Sequence, residues 1–97
     1  MKPVSYSPAA LTDLRGIGRY IAEDDPDRAL TFVDELRTKA QIAAERPFSF
    51  PARDDLAPGL RSIVHGRYLI FFRDLPDAVR IERVIQGARD LRALLGE

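Results

Sequence analysis

The stretch LRSIVHGRYLIFFR, residues 60–73, decides the fold of this 97-residue chain. Residues 60–64 have the short apolar pattern of a β-strand. Residues 65–67 then form a tight turn, with Gly66 where the backbone needs a positive φ. Residues 68–73 are the most apolar segment, which predicts a central strand covered on both faces. After a turn at Pro76, residues 79–85 alternate well enough to form a third strand of the same meander.

Two helices precede this meander. Residues 4–6 are predicted to be a short first strand, and Ser7 followed by Pro8 is a typical helix start. Asp25 and Pro26 give the same signal for a second helix, which runs to about Arg46 before Pro47 ends it. Because the link between the two helices is so short, they should lie antiparallel as a hairpin.

The predicted order is β-α-α-β-β-β, with a short C-terminal helix opening at residues 88–90. This order indicates an α+β fold in which the N-terminal helical hairpin packs on one face of a small twisted antiparallel sheet. A chain of 97 residues is enough for a single domain spanning residues 1–97.

The composition excludes several classes of function. The chain has no cysteine and one histidine, which argues against thiolate metal sites and disulfides and fits a reducing, cytoplasmic compartment. No apolar run is long enough for a signal peptide or a membrane span. The 15 basic and 15 acidic residues cancel, so the chain lacks the general charge signature of a nucleic-acid-binding protein. We expect no cofactor and no metal.

The arginines are the most distinctive polar feature. Arg61, Arg73 and Arg83 fall on three consecutive predicted strands, and Arg67 and Arg89 lie at strand ends. Because neighbouring strands lie about 4.8 Å apart, these side chains can converge into a patch that suits an acidic partner or a phosphate backbone. The alternative is a solvated face in which the arginines pair with nearby carboxylates, namely Asp74, Glu82 and Asp90.

The hairpin offers a second candidate surface, which is apolar. Such a hairpin on a small sheet can leave a groove for an amphipathic helix, and a free sheet edge can accept a strand. The alternative is that the apolar helix residues, such as Leu14, Ile17 and Phe32, are simply core. His65 is the one candidate general base, and its place beside a glycine turn favours an inert, solvated histidine.

Taken together, these motifs resemble the ParE/RelE toxin superfamily of bacterial toxin–antitoxin modules, and more closely its ParE branch. The resemblance covers nearly the whole chain and is carried by residues 6–10, 29–36, 66–73, 79–84 and 87–91. It implies a RelE-like fold and a small co-encoded antitoxin that wraps the toxin. ParE relatives poison DNA gyrase, whereas RelE relatives cut mRNA on the ribosome.

Departures from the family pattern favour a binding toxin over an enzyme. Many relatives carry histidine where this chain has Gln86, and glutamine cannot transfer protons at neutral pH. The loop of residues 48–59 offers only Arg53 as a basic group. We therefore expect no catalytic residues, a ParD-like or similar antitoxin, gyrase as the target, and no direct DNA binding by the toxin alone.

The resemblance also suggests which residues do the binding. The predicted target-binding residues are four arginines and three leucines: Arg61, Arg67, Arg83, Arg89, Leu91, Leu94 and Leu95. The predicted antitoxin-binding residues are Leu14, Ile17, Ile21 and Phe32. The alternative is an mRNA interferase that uses Arg61, Arg67 and Arg83 on the phosphate and His65 in proton transfer. A third possibility is a degenerate module that only binds its antitoxin and regulates transcription.

Overall fold

A computed structural model describes residues 2–87 of the chain. Two α-helices and four β-strands follow one another in the predicted order. They are β1 (Val4–Tyr6), α1 (Pro8–Ala22), α2 (Pro26–Glu45), β2 (Leu60–His65), β3 (Tyr68–Asp74) and β4 (Val79–Gln86), with a short 3₁₀ turn at Pro47–Ser49 after α2. The predicted C-terminal helix lies outside the described residues.

Both helix starts are capped as the sequence predicts. The Ser7 hydroxyl accepts a hydrogen bond from Ala10 N at 3.0 Å and donates one to the carbonyl of Glu82 at 2.7 Å, so the cap also ties α1 to β4. The Asp25 carboxylate accepts from Arg28 N at 3.1 Å. Each cap satisfies a backbone N–H that the first helical turn leaves without a partner.

The two helices approach closely at Gly18. A Cβ placed on Gly18 would lie 3.6 Å from a methyl group of Val33, whereas one placed on Gly16 would meet nothing within 4 Å. The two helices are therefore in contact at the level of Gly18 and Val33, and a methyl group at position 18 would fit there at an ordinary van der Waals distance. The exposed Gly16 lies outside this contact.

The sheet has the order β1-β4-β3-β2. Strands β2, β3 and β4 form the predicted antiparallel meander. β1 joins it as a parallel edge strand beside residues 79–81 of β4, which makes the complete sheet mixed. The parallel pairing follows from the topology, because the hairpin crosses over one face of the sheet between β1 and the meander.

Apolar side chains cover the central strand β3 on both faces, as its composition predicts. On one face, Phe72 packs with α1 and α2 in the main core. On the other, Phe71 packs in a smaller cluster with Leu60 and Ile85, under Leu56 of the loop. Phe71 and Phe72 are both 0% exposed. The loop of residues 48–59 thus supplies the second cover of the sheet. Within residues 2–87, no helix has the length and apolar character needed to cross a membrane.

Candidate functional site

The strand arginines do not form one patch. Strand pairing sets Arg61 opposite Phe72 and Arg73 opposite Leu60, and residues paired across strands share a face of the sheet. Arg61 is therefore on the helix-covered face, and Arg73 is on the opposite face. Successive side chains of a strand alternate between the two faces of the sheet, and the pairing register puts Arg61 and Arg73 on different faces. The prediction that these side chains converge is therefore wrong.

Arg61 lies near the start of β2, and two contacts hold its guanidinium in place. Its Nη1 donates a hydrogen bond to the carbonyl of Phe50 at 2.8 Å, and its guanidinium lies 4.8 Å from the centre of the Phe48 ring. Phe48 is 75% exposed, so the pair of side chains forms a surface knob. A cation over an exposed ring contributes about 0.5–1 kcal/mol, which orients the guanidinium without burying it.

Arg83 joins β4 to α1. The Asp13 carboxylate accepts from Arg83 Nε at 2.8 Å, from Arg83 Nη2 at 3.0 Å and from Val84 N at 2.9 Å. β1 pairs with residues 79–81 only, so beyond Ile81 the outer edge of β4 faces α1 instead of another strand. The Asp13 carboxylate thus has two effects. It accepts a hydrogen bond from a backbone N–H at the unpaired edge of β4, and it fixes the direction of the Arg83 side chain.

A groove runs along this part of β4, beside α1. We call it the edge groove, and it has a volume of about 470 Å³. Its lining combines aromatic, charged and apolar side chains: Asp13, Ile17, Tyr20, Tyr68, Arg83, Val84 and Gln86. Tyr20, Tyr68 and Gln86 also line the neighbouring depression that contains Arg67. Arg67 and Arg83, two of the predicted target-binding residues, therefore border one continuous concave surface.

A second groove lies between the helices and is mainly apolar. We call it the hairpin groove, with a volume of about 630 Å³. Apolar residues of both helices form its floor: Leu11, Leu14, Gly18, Ala22, Ala29, Leu30 and Val33. Arginines form most of its rim, namely Arg15, Arg19 and Arg37, and Asp34 is the one acidic residue among them. Leu30 is 72% exposed there and is part of a contiguous apolar surface with its neighbours on the floor.

The predicted antitoxin-binding residues are mainly core. Leu14, Ile17 and Phe32 are buried, and Ile21 is half-buried. Leu14 contributes to the floor of the hairpin groove and Ile17 to the edge groove. The sequence interpretation missed Leu11, Leu30 and Val33, which are more accessible. Leu30 could have been found, because it lies one position off the buried stripe of α2 formed by Ala29, Phe32 and Leu36.

His65 is held by α2 instead of being solvated. Its Nε2 lies 2.9 Å from Glu35 Oε1, and its ring is 5.2 Å from that of Phe32. Glu35 also accepts from Arg28, and these two hydrogen bonds, with that from Arg28 the stronger, lower the pKa of the Glu35 carboxyl below its ordinary value. His65 thus connects β2 to α2 in a structural role.

Four of the predicted target-binding residues lie outside the described residues, namely Arg89, Leu91, Leu94 and Leu95. Across residues 2–87, no group of three or more metal-ligating side chains comes together.

Comparison with known sequences decides the family. The family described as "ParE toxin of type II toxin-antitoxin system, parDE" matches residues 4–91, which is nearly the whole chain. The chain belongs to the ParE toxin family. As a ParE family member it is the toxin component of a type II toxin–antitoxin system. No curated protein matches its sequence.

Solved structures confirm the fold of this ParE family member. The structure entitled "Chromosomal ParDE TA system from P. aeruginosa" superposes with a TM-score of 0.76 at 20% sequence identity. The match covers 90% of this chain and 97% of that one. The α+β, RelE-like arrangement predicted from the sequence is therefore correct, even though few residues are shared.

Proposed function

We propose that this chain inhibits DNA gyrase by binding to it, and that a co-encoded antitoxin neutralises it. One observation supports inhibition by binding over cleavage of RNA: the candidate reactive side chains each have a partner of their own and lie apart from one another. Arg61 is bonded to the carbonyl of Phe50, Arg83 to Asp13, and His65 to Glu35. Cleavage of RNA by proton transfer needs a base, an acid and cations around one phosphate. Strand pairing sets Arg83 opposite Phe71 and Arg61 opposite Phe72. The two arginines therefore lie on opposite faces of the sheet, which argues against that arrangement.

The surface proposed for the target is the one that Arg67 and Arg83 border. A guanidinium and a tyrosine ring in one concavity suit a protein partner, because arginine and tyrosine are over-represented at the energetic centres of interfaces. Arg61 forms a separate knob, which we assign to the periphery of this contact. The predicted contributions of Arg89, Leu91, Leu94 and Leu95 complete the proposal.

The surface proposed for the antitoxin is the hairpin groove. Its apolar floor and its length suit an amphipathic helix laid between two helices. Leu14 lies beneath this groove, with the exposed Leu30 and the half-buried Leu11 and Val33 above it. Ile17, Ile21 and Phe32 extend the proposed antitoxin contact towards the edge groove and the depression beside it.

Controlled expression in bacterial cells tests this function. The chain expressed alone should arrest growth, accumulate cleaved chromosomal DNA and induce the DNA-damage response. Arg67→Gln should weaken these effects, whereas Arg46→Gln, at an exposed arginine after α2, should not. Co-expression of the neighbouring reading frame should restore growth. Codon-specific mRNA cuts without DNA damage would instead establish the interferase alternative, and normal growth would indicate a degenerate module.

A further inference from the structure

In the part of the chain that the structure describes, three arginines around the hairpin groove form no ion pair, in contrast to four arginines elsewhere in the fold. Arg28, Arg53, Arg80 and Arg83 each form an ion pair with a carboxylate. Arg15, Arg19 and Arg37 are all exposed, and none of them forms an ion pair with a carboxylate of residues 2–87. Arg37 instead lies 5.2 Å from the centre of the Tyr6 ring. The rim of the groove thus carries three positive charges and one negative charge, from Asp34, with no ion pair among them.

The charge has a direction along the groove. Gly18 and Val33 are at the same level, since the two helices touch there. Arg15 precedes Gly18 by about one turn and Arg37 follows Val33 by about one turn, and in antiparallel helices both steps lead away from the connecting turn. The connecting turn itself carries three acidic residues, Glu23, Asp24 and Asp25, and the acidic Asp27 follows in the first turn of α2. The end away from the turn therefore carries a net positive charge, from Arg15 and Arg37 with Asp34, and the end at the turn carries a net negative one.

The dimensions fit a short helix. From Leu11 to Ala22 the floor of the groove extends about 17 Å at the rise of an α-helix, which is about three turns of a bound helix. Such a helix would cover Leu30, Val33 and Leu11 with its apolar face. Its flanks would then pass within reach of the long side chains of the rim.

We propose that Arg15, Arg19 and Arg37 select the antitoxin helix by its carboxylates. The partner is an amphipathic helix with an apolar face and acidic flanks, and its more acidic end lies beside Arg15 and Arg37, away from the acidic turn. This inference rests on the proposed neutralisation by an antitoxin and specifies which antitoxin chemistry fits. Rim charges act mainly on association and on discrimination between partners, because they steer the encounter before the apolar surfaces meet.

The test measures association of the purified chain with the product of the neighbouring reading frame. At low salt, about 0.05 M, Arg15→Gln/Arg19→Gln should lower the association rate constant about tenfold, and the loss should shrink near 0.3 M salt as screening increases. Arg46→Gln should stay within about twofold of the wild type, because it lies after the end of α2. Thermal unfolding of the double variant should match the wild type, because neither arginine forms an ion pair within residues 2–87.

A second variant separates this inference from the proposal on which it rests. Leu30→Asp puts a charge into the apolar floor and should abolish binding. If Leu30→Asp abolishes binding while Arg15→Gln/Arg19→Gln behaves like Arg46→Gln, the groove holds the antitoxin but the arginine selection is wrong. If Leu30→Asp binds normally, the groove is not the antitoxin site, and both this inference and the proposed location fail. Recovery of the association rate of Arg15→Glu by one Glu→Arg change in the antitoxin would support the selection directly.

Discussion

Replacement of Asp13 by alanine should destabilise the fold more than any change at an exposed carboxylate. Asp13 accepts three hydrogen bonds, two from Arg83 and one from Val84 N, and its side chain is 14% exposed. Breaking a buried ion pair costs about 3–5 kcal/mol. Because the Arg83 side chain is 35% exposed, water can solvate part of the guanidinium after the change. We therefore expect a loss of about 2–3 kcal/mol, less than the fully buried value.

Urea unfolding followed by circular dichroism measures this loss. For a domain of this size, the same change lowers the Tm by about 10–20 °C. Asp34→Ala is the matched control, since Asp34 is an exposed aspartate on α2, and it should change stability by about 0.5 kcal/mol or less. Equal stabilities of Asp13→Ala and Asp34→Ala would refute the assignment of Asp13 as the connection between α1 and β4.

Three further predictions concern the core, the turn and the acid response. Phe71→Ala should cost about 3–5 kcal/mol in urea unfolding, and Phe48→Ala about 1 kcal/mol or less, because Phe71 alone is buried; similar losses would contradict the second core. Gly66→Ala should cost about 1 kcal/mol, because Gly66 has φ +59° while an added Cβ would meet only the Phe32 ring, at an ordinary 3.9 Å; unchanged stability would argue against a strained turn. Arg28 lowers the pKa of Glu35, so this carboxylate contributes stability above pH 4.5 that is lost in acid. Glu35→Gln should therefore lose less stability than the wild type below that pH, and parallel pH profiles would contradict this.

Much of the fold could be predicted because local signals and the final packing agree. Ser7 and Asp25 cap their helices as expected, and the apolar run of β3 lies between two covered faces. The parallel pairing of β1 with β4 could not be read locally, since it joins segments about 75 residues apart in the chain. Three-residue strands carry too few side chains to specify their partner.

The candidate site was harder to predict than the fold. The sequence correctly predicted that Arg61 and Arg73 lie on strands. The face of the sheet on which each lies depends on the pairing register of β2 with β3, which composition does not give. The connection between Asp13 and Arg83 joins residues 70 positions apart, and no local pattern marks it. Leu30 differs from these cases, because its position beside the buried stripe of α2 is a local signal that the sequence does contain.

A supercoiling assay with purified DNA gyrase tests the central claim most directly. The purified chain, added to gyrase and relaxed plasmid with ATP, should stop supercoiling and accumulate linear plasmid with gyrase bound at its ends. Prior incubation with the antitoxin should prevent both effects, and Arg67→Gln should weaken them. Undisturbed supercoiling at a molar excess of the chain, together with cleavage of mRNA on purified ribosomes, would contradict the account.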